Sequence, residues 1–331
     1  MKIRTSHVGS FPLSYSEENV VRALKDMWSI NIDAPPYPQL RSFIEIYLNP
    51  LVSQGVLHRV KDIFVAEKSK LELSNVRFTG IPEAEVTIRV VKNKGLKFKW
   101  LRAPVTGAFT LASRVYLHED FTKGISATAL ADKGLVKEFF AAFVKEAVKY
   151  LSNLGYNIVF IDEPSLTLVV GKKRLLFDYK EDEIIEVLDD VGKSTSSEVG
   201  IHVCGLLHRR LLELIVRVPS IKYISIELHD TPENFELIEK SLLELYDKVL
   251  SPGIVSSKKP VVEDLNDALN VLRVAYERSA GRIDLVSGDC GFRGLRGSLG
   301  DEEREYSISL EKLSVIAKAV RLFEKTISRM S

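Results

Sequence analysis

Residues 153–164 read NLGYNIVFIDEP, and this stretch carries the alternation that decides the fold. Gly155 closes an amphipathic helix predicted over 135–154, since glycine readily takes the left-handed conformation at which helices end. Residues 158–161 are all apolar, which is typical of a strand buried on both faces. Two acids and a proline follow. The stretch therefore predicts a helix that runs into a buried parallel strand.

The same alternation continues along the chain. Strands are predicted at 3–8, near 71–79, and at 97–101, 158–161, 200–203, 223–226, 249–250 and 285–287. Helices are predicted at 16–29, from 41 to about 55, and near 135–154, 180–192, 206–216, 232–246, 263–279 and 308–327. Residues 84–91, AEVTIRVV, also alternate as a strand does, and DAPPYPQL at 33–40 reads as a break.

About eight strand–helix units in 331 residues predict an α/β fold of the (β/α)8 TIM-barrel type. We expect a single domain over 1–331, with an insertion or irregular region around 60–100. An open doubly wound sheet is the alternative, but no glycine-rich phosphate fingerprint follows the first strand.

Composition narrows the class of protein. The net charge is +1 and 27% of residues are charged, so electrostatics give no reason to expect a nucleic-acid or membrane partner. The start, MKIRTSHVGSFP, lacks the apolar segment of a signal peptide. Two cysteines form no disulfide framework. These features predict a cytoplasmic protein.

Four metal-binding residue types fall where predicted strands end. His202 and Cys204 close one strand, Glu227 closes the next, and Cys290 closes the last. In a barrel these ends share the rim that carries active sites. One nitrogen, two sulfurs and one oxygen suit zinc, and the thiolates favour zinc over magnesium or calcium.

Simpler interpretations exist for each residue. A buried cysteine is usually a small hydrophobe, and the HVC stretch at 202–204 is ambiguous when read alone. The coincidence of both cysteines and a glutamate at one rim favours the metal site. A disulfide between Cys204 and Cys290 is disfavoured by a reducing compartment. His208 lies beyond the turn, and we expect it to be a bystander.

Asp162 and Glu163 end the strand at 158–161. Acids at a helix N-terminus can simply complement the helix dipole. We favour a carboxylate at Asp162 that binds a substrate ammonium group, with Glu163 in a structural role.

Six motifs together resemble a known family: TSHVGSFP, FIDEPSL, IHVCG, YISIELHD, SPGIV and GDCGFR. In this order they resemble the catalytic C-terminal barrel of cobalamin-independent methionine synthase, in its short archaeal-type form. The resemblance implies an enzyme that methylates the thiol of L-homocysteine to give L-methionine. It implies the same zinc ligands, His202, Cys204, Glu227 and Cys290.

The resemblance also implies a substrate site. Asp162 would bind the amino group of homocysteine, and Glu45, in FIEIY, is the candidate for a second acid. Gly9 and Ser10 would contact the carboxylate and backbone of the amino acid. Zinc would hold the substrate sulfur as a thiolate that attacks the methyl group directly, without a covalent enzyme intermediate.

Two departures from the family concern the methyl donor. Arg114 stands about where the family has a tryptophan that stacks on folate, and Lys258 replaces a histidine assigned to proton delivery. Lys258 is therefore a possible catalytic residue. We expect methylcobalamin or a methylated corrinoid protein as the donor, because such donors need no proton on leaving. The alternatives are 5-methyltetrahydrofolate as donor, another thiol such as coenzyme M as acceptor, or a purely structural zinc.

Overall fold

The computed structural model describes residues 2–73 and 76–329. The strands are β1 (His58–Val60), β2 (Ile63–Val65), β3 (Arg102–Thr106), β4 (Val115–Tyr116), β5 (Ile158–Asp162), β6 (Glu198–Val203), β7 (Tyr223–Glu227) and β8 (Val249–Gly253). The α-helices are α1 (Glu17–Ile30), α2 (Glu45–Ser53), α3 (Lys68–Leu73), α4 (Pro82–Lys94), α5 (Ala108–Ala112), α6 (Lys133–Leu135), α7 (Ala142–Leu154), α8 (Leu166–Val169), α9 (Glu181–Gly192), α10 (Arg209–Val216), α11 (Lys240–Leu245), α12 (Leu265–Arg278) and α13 (Glu302–Ile327). A π-helical segment, Val136–Ala141, joins α6 to α7, and 3₁₀ segments span Phe121–Ala127, Ala129–Ala131, Pro232–Leu237 and Phe292–Leu295.

Parallel pairings close into a ring of eight extended segments. The strands β3, β5, β6, β7 and β8 are hydrogen-bonded in that order. Short parallel bridges complete the ring, namely Ser6 with Ala34, Pro36 with Arg102, Leu250 with Ile283, and Thr5 with Val286. The first, second and eighth segments of the barrel thus lie at 5–6, 34–36 and 283–287. The predicted TIM barrel is confirmed.

The second barrel segment lies in the stretch that the sequence marked as a break. Prolines at 35 and 36 cannot donate hydrogen bonds, but their carbonyls can still accept them. The backbone N–H of Arg102 donates to Pro35, and that of Tyr37 donates to Arg102. The strand predicted near 71–79 was wrong: α3 ends at Leu73, residues 74 and 75 lie outside the described residues, and the rest of that range is not strand.

Two further predictions between the second and third barrel segments were wrong. The third strand begins at Arg102, five residues later than the predicted start at 97 and just past the predicted end at 101, because the pairing with β5 starts only where Arg102 lies opposite Ile158. Residues 84–91 form part of α4, where Ala84, Ile88 and Val90 are buried. Pro82 starts this helix and Gly95, at φ 65°, ends it. These end signals and the burial of one helix face outweigh the strand-like alternation of the sequence.

Most of the remaining helix predictions agree with the structure. The helix predicted at 232–246 was wrong in part, because it divides into the 3₁₀ segment Pro232–Leu237 and α11 (Lys240–Leu245), and the last helix begins at Glu302 rather than near 308. The Ser16 hydroxyl accepts a hydrogen bond from the backbone of Asn19 and caps α1. The predicted helix over 135–154 is continuous through the π segment, and Gly155 ends it at φ 119°. No helix among residues 2–73 and 76–329 combines the length and apolarity needed to cross a bilayer.

The packing of the barrel leaves the carboxyl ends of its strands uncovered. The main apolar core lies between the strands and the surrounding helices, and a smaller cluster of Ala34, Ile158, Phe160, Tyr223 and Leu285 fills the barrel interior. Outside the ring, β1 and β2 form an antiparallel pair, to which β4 adds in parallel. The carboxyl ends of the barrel strands therefore remain available to line a pocket.

Candidate metal and substrate site

The strand ends bring the predicted site residues together at one rim. Asp162 ends β5, His202 lies near the end of β6, and the two residues are direct partners in the sheet register. Glu227 ends β7. His202 and Glu227 are each only 1% exposed. Buried ionisable side chains that converge at this end of a barrel are typical of an active site.

His202, Cys204 and Cys290 form a compact cluster of possible metal ligands. Their ligand atoms all lie within 4.8 Å of one another. The Nε2 atom of His202 is 3.0 Å from the sulfur of Cys204, which is 3.2 Å from the sulfur of Cys290. Both cysteines are free thiols, because a disulfide needs sulfurs about 2 Å apart.

The cluster has the electrostatic character of a cation site. A hydrogen bond from the Cys204 thiol, together with the nearby His202 ring, lowers the pKa of the Cys290 thiol well below its ordinary value. The pair therefore favours a thiolate. Thiolate sulfur and imidazole nitrogen are ligands that zinc prefers, so the donor set fits that ion.

Glu227 lies near Cys204, but its carboxylate is not part of the compact group formed by His202, Cys204 and Cys290. Its Oε1 atom is buried and has no hydrogen-bond partner among the described residues. Its Oε2 atom accepts from the Thr231 hydroxyl at 3.3 Å and lies 3.5 Å from the Lys258 ammonium. A buried carboxylate with one oxygen held and the other free suits a fourth ligand.

Three residues that the sequence did not single out support the cluster. The Nδ1 atom of His202 is 3.0 Å from the Ser225 hydroxyl, which leaves Nε2 to face the cysteines. The side-chain amide of Asn234 donates to the carbonyls of Gly205 and Glu227, and so links the ends of β6 and β7. The Asp289 carboxylate accepts backbone hydrogen bonds from residues 228, 229 and 230.

No sequence signal identifies these supporting residues, because a serine, an asparagine and an aspartate near strand ends are common. A second group of possible ligands, His229, Asp230 and Asp289, lies close by. The Asp289 carboxylate is already occupied by backbone donors, and Asp230 by Ser256 and Lys259. We interpret this second group as structural.

Asp162 presents a buried carboxyl to the pocket beside the cluster. Its Oδ1 atom has no hydrogen-bond partner among the described residues, and burial raises its pKa to about 7. The pocket has a volume of about 460 Å³ and is lined by Ser10, Asp162, His202, Cys204, Lys258 and Cys290, among others. An unpaired acid here offers a binding site for a cationic group on a ligand.

Glu163 has the structural role expected of it. Its carboxylate accepts hydrogen bonds from the backbone N–H groups of Phe109 and Thr110 and from the Thr110 hydroxyl. These donors lie at the start of α5, so Glu163 caps that helix from a neighbouring strand end. The side chain is fully buried.

Ser10 and Gly9 differ in their relation to the pocket. Ser10 lines it, and its hydroxyl accepts from the backbone N–H of Arg293 at 3.2 Å. Gly9 does not line it. Gly9 adopts φ 146°, and a Cβ there would lie 2.8 Å from the ring of Pro104. Gly9 therefore shapes the turn that presents Ser10.

Glu45 is not brought to the pocket that holds Asp162. Its carboxylate lies 2.6 Å from the Arg59 guanidinium and is about half exposed. It lines a neighbouring cleft, with a volume of about 590 Å³, that shares Arg293 with the pocket of Asp162. The role of Glu45 as a second substrate acid therefore stays a prediction, because its ion pair with Arg59 holds it in this neighbouring cleft and not in the pocket of Asp162.

Lys258, Arg114 and His208 complete the set of sequence candidates. Lys258 and Arg114 both line the pocket, so the two departures from the family pattern face the same space. His208 does not line it. Its Nδ1 atom accepts from the backbone of Leu211, and its Nε2 atom donates to the carbonyl of Val170 at 2.6 Å. His208 therefore caps α10, as the expectation of a bystander allows.

The closed parallel barrel carries a pocket with one histidine and two cysteines at its carboxyl rim, which defines a TIM-barrel protein with a candidate metal site. The sequence model described as the cobalamin-independent synthase catalytic domain matches residues 105–302. The match covers more than half of the chain. The protein belongs to this family.

Curated relatives are distant in sequence. A protein of Aliivibrio fischeri (strain MJ11), named 5-methyltetrahydropteroyltriglutamate–homocysteine methyltransferase, is 23% identical over 240 residues, which are 72% of this chain and 29% of the relative. A methionine synthase of Pyrococcus horikoshii is 22% identical over 229 residues, 69% of this chain and 59% of that protein. The chain thus spans less than a third of the first relative's length.

Solved structures share the fold over the whole chain. A B12-independent methionine synthase from Shewanella sp. W3-18-1, in complex with selenomethionine, has a TM-score of 0.69 at 16% identity and covers 99% of this chain and 100% of its own. A putative vitamin-B12-independent methionine synthase from Listeria monocytogenes has a TM-score of 0.66 at 13% identity, with 97% and 98% covered.

These comparisons correct the expected methyl donor. The name of the Aliivibrio fischeri relative specifies a pteroyltriglutamate donor, and the family is described as cobalamin-independent. The corrinoid donor was therefore the wrong first choice, and the folate alternative is better supported. The replacement of the family's tryptophan and histidine does not by itself indicate a different donor class.

Proposed function

We propose that the protein is a zinc-dependent methyltransferase that methylates the thiol of L-homocysteine to give L-methionine, with a 5-methyltetrahydrofolate-type donor. The observation that carries the proposal is the pairing of two sites in one pocket. A His–Cys–Cys cluster suited to a metal and an unpaired buried carboxyl both line it. Family membership supports the same reaction class.

The metal site would consist of His202, Cys204, Cys290 and Glu227. When bound, zinc supplies a Lewis acid that stabilises a substrate sulfur as a thiolate at neutral pH. The cluster's three grouped atoms and the free Oε1 atom of Glu227 support this donor set. Ser225 would fix the orientation of the His202 ring.

The acceptor would be held by its charged ends. Asp162 offers a carboxylate to the ammonium group of the amino acid, and the pairing would restore the ionised form that burial disfavours. Ser10 lies in the same pocket, where its backbone turn could meet the substrate carboxylate. Coenzyme M has no ammonium group, so Asp162 favours an amino-acid acceptor over that thiol.

Cationic side chains support a folate-type donor. Arg114, Lys258 and Arg293 line the pocket, and a pteroyltriglutamate carries several carboxylates. Transfer of the methyl group from N5 of such a donor leaves a nitrogen that must gain a proton. Lys258 lies in the pocket with an ammonium group and would deliver that proton.

The test combines metal content with a screen of donors and acceptors. We expect about one zinc per chain, as for a single four-ligand site. Zinc-loaded enzyme should convert homocysteine to methionine with 5-methyltetrahydrofolate or its triglutamate. Turnover with methylcobalamin alone would refute the proposed folate-type donor. Turnover of coenzyme M in place of homocysteine would refute the proposed amino-acid acceptor.

A further inference from the structure

The Arg102 side chain is a buried cation with no ion pair and no hydrogen bond to any of the described residues. Arg102 begins β3, and its side chain lies inside the barrel with no exposed surface. All three guanidinium nitrogens lack a hydrogen-bond partner among the described residues. A buried charge left unpaired strongly destabilises a fold unless nearby opposite charge offsets it.

A second interior arginine shows what ordinary pairing looks like in this barrel. Arg4 lies at the amino ends of the strands, and its guanidinium donates to the carboxylates of Asp284 and Glu198 and to the Tyr223 hydroxyl at 2.6–3.0 Å. The contrast shows that the fold can satisfy an interior arginine. The isolation of Arg102 is specific to its position.

The Arg102 guanidinium lies directly below the reaction pocket. It stacks on the Phe160 ring, 3.7 Å from the ring centroid. Phe160 precedes Asp162 by two residues on β5, and two residues of strand rise about 7 Å. Gly200 makes room for this arrangement, because a Cβ there would lie 2.5 Å from the Phe160 ring. The cation therefore lies one layer below Asp162 and His202.

The surrounding charges keep Arg102 ionised. Burial lowers its pKa to about 10, while the negative charges of Asp162 and Cys290 oppose that effect. The guanidinium is thus a permanent positive charge at neutral pH. Its electrostatic interaction is strongest with the anionic groups of the pocket above, Asp162 and Cys290.

We propose that Arg102 is a positioning residue that acts through its charge, favouring the acceptor substrate when its sulfur is a thiolate. The inference rests on the proposed function. The thiol of homocysteine would release its proton to solvent on binding. It would then add one negative charge to a pocket in which the two cysteines, as thiolates, and Glu227 together outweigh the +2 charge of a bound zinc ion. Arg102 offsets that added charge from below, without touching the substrate.

The product provides an internal control for this effect. Methionine carries the same ammonium and carboxylate groups, but its thioether adds no charge. Removing the Arg102 charge should therefore weaken homocysteine binding selectively. A unit charge at about 7–10 Å, in an effective dielectric constant of about 20, corresponds to roughly a tenfold or greater effect on binding.

The experiment measures Kd for homocysteine and for methionine by calorimetry on zinc-loaded protein, at one pH and ionic strength. The variants are Arg102→Met and Arg102→Gln, which are neutral, and Arg102→Lys, which keeps the charge. We expect both neutral variants to raise the ratio of the homocysteine Kd to the methionine Kd about tenfold. Arg102→Lys should keep the wild-type ratio.

Each outcome decides the inference. Equal weakening of both ligands would show a packing role and overturn it. If both neutral variants fail to fold, Arg102→Lys still decides: a wild-type ratio supports the role of charge, and a raised ratio refutes it. If wild-type protein binds neither amino acid, the proposed function fails, and the inference falls with it. That result differs from a failure confined to the variants.

Discussion

The sulfur atoms of Cys204 and Cys290 lie 3.2 Å apart, although 86 positions separate them in the chain. The barrel creates this contact by placing the end of β6 near the end of the eighth segment. His202 adds a ring nitrogen 3.0 Å from Cys204. The most direct predictions therefore concern the metal that these three residues would hold.

Replacing either cysteine should remove the metal and the activity together. Cys290→Ser and Cys204→Ser each delete one thiolate, so we expect zinc affinity to fall by more than about 100-fold, beyond the loss typical of an outer-sphere change. Metal content after dialysis and methionine formation are the measurements. If Cys290→Ser kept full methyl transfer and lost only thermal stability, the zinc would be structural.

The Ser225 hydroxyl should matter more than an equivalent hydroxyl one strand away. Ser225 contacts Nδ1 of His202, whereas its register partner Ser251 donates to the carbonyl of Leu285. We expect Ser225→Ala to weaken zinc binding by about 10–100-fold. Ser251→Ala is the matched control and should leave zinc affinity near wild type. Equal losses would exclude a role in orienting the histidine.

Asp162 should set the affinity for the acceptor and its dependence on pH. Asp162→Asn removes the counter-charge of the ammonium group, so KM for homocysteine should rise about 10- to 100-fold, as for a charged hydrogen bond of about 1.5–3 kcal/mol. Burial raises the pKa of Asp162 to about 7, so the carboxyl is neutral below that pH and ionised above it. Wild-type KM should therefore rise as the pH falls through about 7.

The asparagine variant isolates that titration. Asp162→Asn cannot ionise, so its KM should lack the rise that Asp162 causes in the wild type. Steady-state kinetics over a series of pH values would measure both proteins. An identical pH profile in the two proteins would assign the titration to another group.

Glu163 should contribute stability without contacting substrate. Glu163→Ala leaves the backbone N–H groups of Phe109 and Thr110 without their acceptor, which should lower the free energy of unfolding by about 1–3 kcal/mol. Glu244→Ala removes only an exposed pair with Lys240 and should cost less than about 0.5 kcal/mol. Urea unfolding compares the two, and similar values would refute the capping role.

Lys258 should act on the donor half of the reaction. Lys258→Met removes the proposed proton donor, so kcat with a 5-methyltetrahydrofolate donor should fall about 100-fold or more. Lys259→Met is the matched control, since that neighbouring side chain pairs with Asp230. Zinc content should stay at the wild-type level in both. Comparable kcat values for the two variants would exclude proton delivery by Lys258.

The alternation of apolar strands and amphipathic helices was sufficient to predict the barrel. It was also sufficient to place His202, Cys204 and Cys290 at one rim, because parallel strands that close into a barrel end on the same side. The alternation at 84–91 resembled a strand but belongs to α4, and the starts of two barrel segments were missed because they lack an apolar signature. Ala34–Pro36 is interrupted by prolines, and Arg102 places a charge at the first residue of β3.

The side chains around the site depended on contacts that a linear sequence does not contain. The sequence predicts Glu45 as a second substrate acid, whereas its ion pair with Arg59 forms only when α2 packs beside the β1–β2 hairpin. Asn234 and Asp289 connect strand ends through backbone groups, which carry no residue-specific signal.

The sequence by itself determined the barrel and the types of ligand at its rim, because strand periodicity and the chemistry of histidine and cysteine are local properties. Only the tertiary structure decided which acid remains unpaired, which carboxylate is engaged elsewhere, and that Arg102 lies unpaired beneath the pocket. Burial and charge pairing depend on every segment that surrounds a side chain. Those surroundings exist only after the ring of strands has closed.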